Sequence, residues 1–166
     1  MPSRRNSAIC FVAAFFVVIP STRTAADTDS MLCSGKNFAL GCLKENFREL
    51  YKSNYTRFWD IMYLAERKAR KCDSEADSAS FLELVRFIGG NAEVGEYFSE
   101  TVEQLCTTNP RCLLDALTRV DEKVRVEIVN GLRTPLFQEK AAIEKVFRRF
   151  KGTKKYKEIM QLYFSR

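Results

Sequence analysis

Apolar residues recur every three or four positions along most of this chain, which is the spacing of amphipathic α-helices. The first run covers about residues 36 to 71 and keeps one phase throughout. Its apolar positions are Leu40, Leu43, Phe47, Leu50, Tyr51, Tyr55, Phe58, Met62 and Ala65. The pattern predicts one long N-terminal helix bent near Ser53, and a two-helix hairpin that turns there is the alternative.

Beyond Cys72 the pattern predicts a polar loop over 73–80, followed by short, well-punctuated helices. Ser80 with Glu83 has the spacing of a capping box, and Gly89-Gly90 would end that helix. Further starts are predicted at Asn91, Asn109-Pro110, Asp121, Thr134-Pro135 and Thr153, and Gly152 would end the helix that begins at Pro135. No alternating run predicts a strand, so the expected fold class is all-α.

A weak internal echo occurs at a spacing of 32 residues. Phe81 to Val85 aligns with Leu113 to Leu117, and each segment would open a pair of short helices. Paired helices at such a period resemble the hairpins of HEAT- and armadillo-like solenoids. The expected architecture is therefore an irregular bundle or a HEAT-like α-solenoid fragment.

The N-terminus has the features of a secretory signal. Arg4 and Arg5 precede an apolar run from Ala8 to Pro20, and a small-residue step at residues 24–26 comes before Asp27. The pattern predicts a cleaved signal peptide over residues 1–26 and one all-helical domain over 27–166. The expected location is extracytoplasmic, either periplasmic or secreted, with no transmembrane segment in the mature chain.

Cleavage there would remove Cys10 and leave five cysteines, which are Cys33, Cys42, Cys72, Cys106 and Cys112. An oxidising compartment favours pairing, and five thiols allow two bridges with one left over. We expect a bridge between Cys33 and Cys42 and a second among the other three. The odd cysteine would be a buried inert thiol, a reactive group or the link of a disulfide-bonded dimer.

Positive charge is concentrated near the C-terminus. Loss of the three leader arginines lowers the formal net charge from +6 to +3, and the segment 140–157 alone carries +7. The candidate partner-binding residues are Lys145, Arg148, Arg149, Lys151, Lys154, Lys155 and Lys157. Such a patch suits an acidic protein or an anionic envelope or membrane surface, and a solvated helix face is the alternative. Nucleic acid is a less suitable partner, because the patch lacks interleaved aromatic residues.

Catalytic chemistry is restricted, because the chain contains no histidine. This excludes Ser-His and Cys-His nucleophile pairs and most catalytic zinc sites, and no metal or other cofactor is expected. Paired carboxylates remain, with Glu93 and Glu96 or Glu100 and Glu103 each three apart on a predicted helix. They would suit a small glycan-cleaving enzyme, although this spacing is also that of an ordinary solvated helix face.

The expected function is an exported, non-enzymatic binding protein, such as an inhibitor, an immunity-type protein or an envelope adaptor. It would present a helical surface and the basic C-terminal patch to its partner. A secreted helical-bundle signalling protein is the first alternative, and the glycan-cleaving enzyme is the second.

Overall fold

A computed structural model describes residues 40–165, and within that range every regular element is a helix. The helices are α1 (Leu40–Ser53), α2 (Tyr55–Lys71), α3 (Glu75–Leu82), α4 (Val85–Ile88), α5 (Ala92–Thr108), α6 (Pro110–Arg119), α7 (Glu122–Arg133), α8 (Lys140–Phe150) and α9 (Lys157–Phe164), with a 3₁₀ turn at Lys154–Tyr156 before α9. The all-α prediction is confirmed. The predicted signal peptide lies outside the described residues.

The first helical run is divided at Asn54. Its side chain caps α2 by accepting a hydrogen bond from the Arg57 amide at 3.2 Å. The rings of Phe47 and Phe58 are 5.0 Å apart, whereas eleven residues of straight helix would separate them by about 16 Å. The chain therefore turns sharply and packs α1 against α2, as in the two-helix alternative.

The predicted polar loop over 73–80 is wrong, because most of it forms α3. Ser74 caps this helix by accepting from the Ala76 amide, and Ser78 is fully buried with its hydroxyl donating to the Ala69 carbonyl. Small side chains let α3 lie close to α2 and α6, so Ser78 and Ala79 are buried although the segment as a whole is polar. The helix ends at Leu82, so the predicted capping box of Ser80 and Glu83 does not form.

The two segments of the internal sequence echo do not share the same backbone structure. Phe81 to Val85 spans the end of α3, a turn and the start of α4, whereas Leu113 to Leu117 lies wholly inside α6. Equivalent sequence positions therefore differ in backbone structure. The HEAT-like arrangement receives no support from these two segments.

Three of the predicted helix starts are confirmed with their caps. The side chains of Asn91, Asn109 and Asp121 accept hydrogen bonds from the amides of Val94, Cys112 and Val124. In each case a short polar side chain satisfies an amide that has no partner inside the helix. These are local interactions, which explains why spacing alone located them.

One disulfide joins Cys72, at the end of α2, to Cys112, in the first turn of α6. It belongs to the predicted set of pairings among Cys72, Cys106 and Cys112. Cys42 is disulfide-bonded as well, and its predicted partner Cys33 lies outside the described residues. Cys106 is a free thiol inside the core.

Candidate functional site

The seven candidate cations, hereafter the basic surface, are all exposed. They follow α8, the turn after it and the start of α9, while Ile143, Phe147 and Phe150 on the other side of α8 are buried. The apolar stripe holds α8 against α5 and α7, and this leaves the cationic side chains facing solvent. All seven predicted residues therefore lie at the surface, on consecutive elements of the chain.

Two members of the basic surface have carboxylate partners. Arg148 pairs with Glu144 at 2.5 Å, and Lys155 pairs with Asp115 at 2.5 Å and lies 4.0 Å from Glu75. The other five form no ion pair within the described residues: Lys145, Arg149, Lys151, Lys154 and Lys157. Most cations of the basic surface therefore have no carboxylate partner among the described residues, although Arg149 and Lys151 lie over the rings of Phe150 and Phe164.

Lys155 belongs to a small polar network that ties the 3₁₀ turn to α6. Burial acts to raise the pKa of Asp115, but hydrogen bonds from Lys155 and Tyr156 outweigh it and hold that pKa below its usual value. Tyr156 donates to Asp115 at 2.7 Å, and burial together with that bond raises the pKa of Tyr156 to about 12. Lys155 consequently has a structural role as well as an exposed position.

Glu103 differs from the other predicted carboxylates because it is only 3% exposed. It accepts three backbone hydrogen bonds, from the amides of Leu136, Phe137 and Gln138, at 2.7–2.8 Å. These bonds hold the chain before α8 as a loop, so the predicted helix start at Thr134-Pro135 is wrong and α8 begins at Lys140. They also occupy both carboxylate oxygens, so Glu100 and Glu103 do not form an accessible pair.

The other predicted glutamates line a cleft of about 550 Å³ between α2 and α5, which we name the acidic–aromatic groove. Its aromatic residues are Tyr55, Trp59, Tyr63, Tyr97 and Phe137, and its carboxylates are Asp60, Glu93, Glu96 and Glu100. Sequence reasoning assigned Tyr55 to an apolar stripe and missed this site. The available signal was the four-residue spacing of Tyr55, Trp59 and Tyr63, which places three aromatic side chains on one helix face.

Two tyrosines orient Glu93 at one end of the groove. The hydroxyls of Tyr51 and Tyr55 donate to its two carboxylate oxygens at 2.6 and 2.5 Å. These bonds lower the pKa of Glu93, because they stabilise the ionised carboxylate. A glycosidase general acid needs the opposite shift, toward a protonated carboxyl at neutral pH.

A second cleft, of about 530 Å³, lies between α4, α5 and α7. Its walls are mainly apolar, with Val85, Ile88, Phe98, Val102 and Ile128 among them. Its polar lining side chains are Asn91, Ser99, Glu103 and Glu127. The volume falls in the range of small-molecule sites, but both carboxylate oxygens of Glu103 are already engaged by loop amides.

The odd cysteine of the described region is Cys106, which is 1% exposed. Burial, with a smaller contribution from Glu103, raises the pKa of this thiol to about 12. It is therefore protonated and inaccessible in the folded chain. An intermolecular disulfide through Cys106 would require the core around it to open.

The comparisons with known proteins give no relatives to draw on. No family model matches the chain, no curated protein matches it, and no solved structure matches it. Across residues 40–165 no helix is both long and apolar enough to span a bilayer. The same part of the chain brings together no three Cys, Asp or Glu side chains that could hold a metal ion.

Proposed function

We propose that this chain is an exported, non-enzymatic binding protein whose basic surface docks onto an acidic partner. One observation carries the proposal: five exposed cations on adjoining elements have no carboxylate partner among the described residues. Charges left unpaired on a rigid helical surface attract an oppositely charged surface and accelerate its approach.

The chemistry of the basic surface favours an acidic protein over insertion into a membrane. The large apolar side chains exposed within residues 40–165 are Tyr55, Tyr63, Leu136 and Phe137. None belongs to the basic surface, whereas a helix that inserts into a bilayer interface presents apolar residues beside its cations. The partner is therefore expected to supply clustered Asp and Glu side chains.

The non-enzymatic part of the proposal is supported by the two candidate glutamate pairs. Glu103 is engaged by three amides, and the pKa of Glu93 is shifted away from that of a general acid. Glu103 is therefore not available to a substrate, and Glu93 is unsuited to the general-acid role in glycoside cleavage.

Capture from the extracytoplasmic fraction of the source cells, using immobilised mature protein, tests the proposal. The test variant carries Lys145→Gln, Arg149→Gln, Lys151→Gln, Lys154→Gln and Lys157→Gln, which leaves both ion-paired cations in place. The matched control neutralises five exposed cations on α1 and α2, at Arg48, Lys52, Arg67, Lys68 and Lys71. We expect wild type and control to retain the same acidic protein and the test variant to lose it. Equal retention by all three would overturn the proposal.

A further inference from the structure

The turn between α1 and α2 contains the only N-glycosylation sequon of the chain. Asn54 is followed by Tyr55 and Thr56, and no other asparagine in the sequence has Ser or Thr two positions after it. Exported proteins of eukaryotic cells receive oligosaccharides on the asparagine of such Asn-X-Thr triplets, where X is any residue except proline. A triplet also arises by chance, so its place in the fold decides whether the protein can carry a sugar there.

The acceptor atom of Asn54 is not used by the fold. The side chain caps α2 through its carbonyl oxygen Oδ1, which accepts a hydrogen bond from the Arg57 amide at 3.2 Å. Its amide nitrogen Nδ2 forms no hydrogen bond with any part of the chain that the structure describes. A sugar bonded to Nδ2 leaves the carbonyl oxygen free to accept, so glycosylation and helix capping are compatible.

The residues around Asn54 leave room for a sugar. Helix α1 ends at Ser53 and α2 begins at Tyr55, so Asn54 alone connects the two helices. Ser53, Tyr55 and Thr56 are exposed, and Asn54 itself is half-buried. Although Tyr55 belongs to the apolar stripe of the sequence pattern, its side chain is 49% exposed. The triplet therefore lies at a surface turn, where a bulky sugar displaces no core side chain.

The hydroxyl that completes the sequon is also uncommitted. The hydroxyls of Thr101, Thr108 and Thr118 each donate to a backbone carbonyl of their own helix. That of Thr56 makes no hydrogen bond within residues 40–165. The fold therefore requires neither the Nδ2 of Asn54 nor the hydroxyl of Thr56, and both can be changed without removing the cap of α2.

The cysteines place this turn in a chain suited to the same compartment. The Cys72–Cys112 bridge and the disulfide-bonded Cys42 require an oxidising environment. Among the oxidising compartments, the lumen of the endoplasmic reticulum both forms disulfides and supplies the oligosaccharide donor. A chain that enters this lumen through the predicted leader meets the donor before it is exported.

From these observations we propose that Asn54 carries an N-linked oligosaccharide, transferred from a lipid-diphosphate donor. A bond forms between Nδ2 of Asn54 and the anomeric carbon of the first sugar. The bond from that carbon to the diphosphate oxygen breaks, the lipid diphosphate leaves with the electron pair, and the amide loses one proton. The proposal rests on the exported location in the proposed function, but not on the basic surface, which lies on other elements.

Peptide N-glycosidase tests the proposal on protein recovered from the extracytoplasmic fraction of the source cells. The enzyme releases an N-linked sugar and converts the linked asparagine to aspartate. We expect one discrete fall in apparent mass, and peptide mapping should find aspartate at position 54. Exported protein with unmodified Asn54 would overturn this proposal alone. A chain found only inside the cells and without sugar would overturn the exported location as well.

Three variants produced in the same cells separate the sequon from the helix cap. Asn54→Asp removes the acceptor nitrogen and keeps a capping oxygen, while Thr56→Ala removes the hydroxyl and leaves Asn54 in place. We expect both to lose the glycosidase-sensitive mass, and the matched control Thr56→Ser to keep it, because serine completes the sequon. Circular dichroism should show wild-type helix content in Asn54→Asp, since Asp and Asn cap helices about equally well. A glycosidase-sensitive mass in both Asn54→Asp and Thr56→Ala would overturn the assignment to Asn54.

Discussion

At the scale of single residues, the least predictable side chain is Glu103. Its three-residue spacing from Glu100 is that of a solvated helix face, but the chain before α8 folds back over it and directs three amides at its oxygens. Sequence periodicity reports which face of a helix a residue occupies and not which distant segment covers that face. This tertiary contact decides the position of Phe137 and hence one side of the groove.

Replacing Glu103 by Ala would leave three loop amides without their acceptor. We expect Glu103→Ala to lower the free energy of unfolding by about 2–3 kcal/mol, because hydrogen bonds to charged groups contribute about 1.5–3 kcal/mol and water can reach the freed amides of the exposed Leu136 and Phe137. Urea denaturation measures the change, with exposed Glu100→Ala as the control that should remain within about 0.5 kcal/mol of wild type. Similar losses in both variants would contradict the anchoring role of Glu103.

Asp115 should make stability depend on acidity. Its pKa is lower in the folded than in the unfolded chain, so the unfolded chain binds more protons and stability falls as pH drops below the ordinary value of 3.8. We expect Asp115→Asn to cost about 1–2 kcal/mol at pH 7, and this difference to shrink as pH falls toward and through the folded pKa. Urea unfolding from pH 7 to 2.5 tests this, with exposed Asp73→Asn as control. A constant difference at every pH would show that the charge of Asp115 is not involved.

At the scale of elements, the sequence located those helices whose starts depend on local capping. The sequence predicted the caps at Asn91, Asn109 and Asp121, because each capping side chain and the amide that it accepts from are only three residues apart. The segment 73–80 was misread because its helix packs Ser78 and Ala79 against α2 and the distant α6, a long-range effect. The acidic–aromatic groove was missed for the same reason, since its two walls come from helices distant in sequence.

The Cys72–Cys112 bridge links α2 to α6, and its two cysteines are 40 positions apart in the sequence. We expect Cys72→Ser with Cys112→Ser to destabilise the protein by about 4 kcal/mol, because the unfolded chain regains the entropy of that loop. Denaturant unfolding of the double variant checks this value. A loss under about 1 kcal/mol would show that the packing of α2, α3 and α6 suffices without the bridge.

The buried thiol of Cys106, on α5, should be unreactive until the protein unfolds. We expect Cys106 to resist a thiol reagent in native buffer and to be labelled after denaturation without reductant, with peptide mapping to identify the site. Rapid native labelling of Cys106, or its recovery in a disulfide-linked dimer, would contradict the buried position.

At the scale of the whole molecule, the described residues form two surfaces of opposite charge, the basic surface and the acidic–aromatic groove. The basic surface was predictable, because consecutive cations beside a buried stripe must face solvent. The sequence did not predict which of its cations lack a carboxylate partner, because Lys155 pairs with Asp115, which lies 40 positions away in the chain. The five unpaired cations carry the proposed binding function.

Binding to immobilised poly-glutamate as a function of salt tests that function most directly. Between about 50 and 200 mM salt, we expect wild-type affinity to fall about tenfold, because exposed charges are screened over about 8 Å at physiological ionic strength. The test variant, which replaces Lys145, Arg149, Lys151, Lys154 and Lys157 by Gln, should bind weakly at every salt concentration. The control variant, which neutralises five cations on α1 and α2, should bind like wild type. Equal affinities and equal salt dependence in the two variants would contradict a binding role for the basic surface.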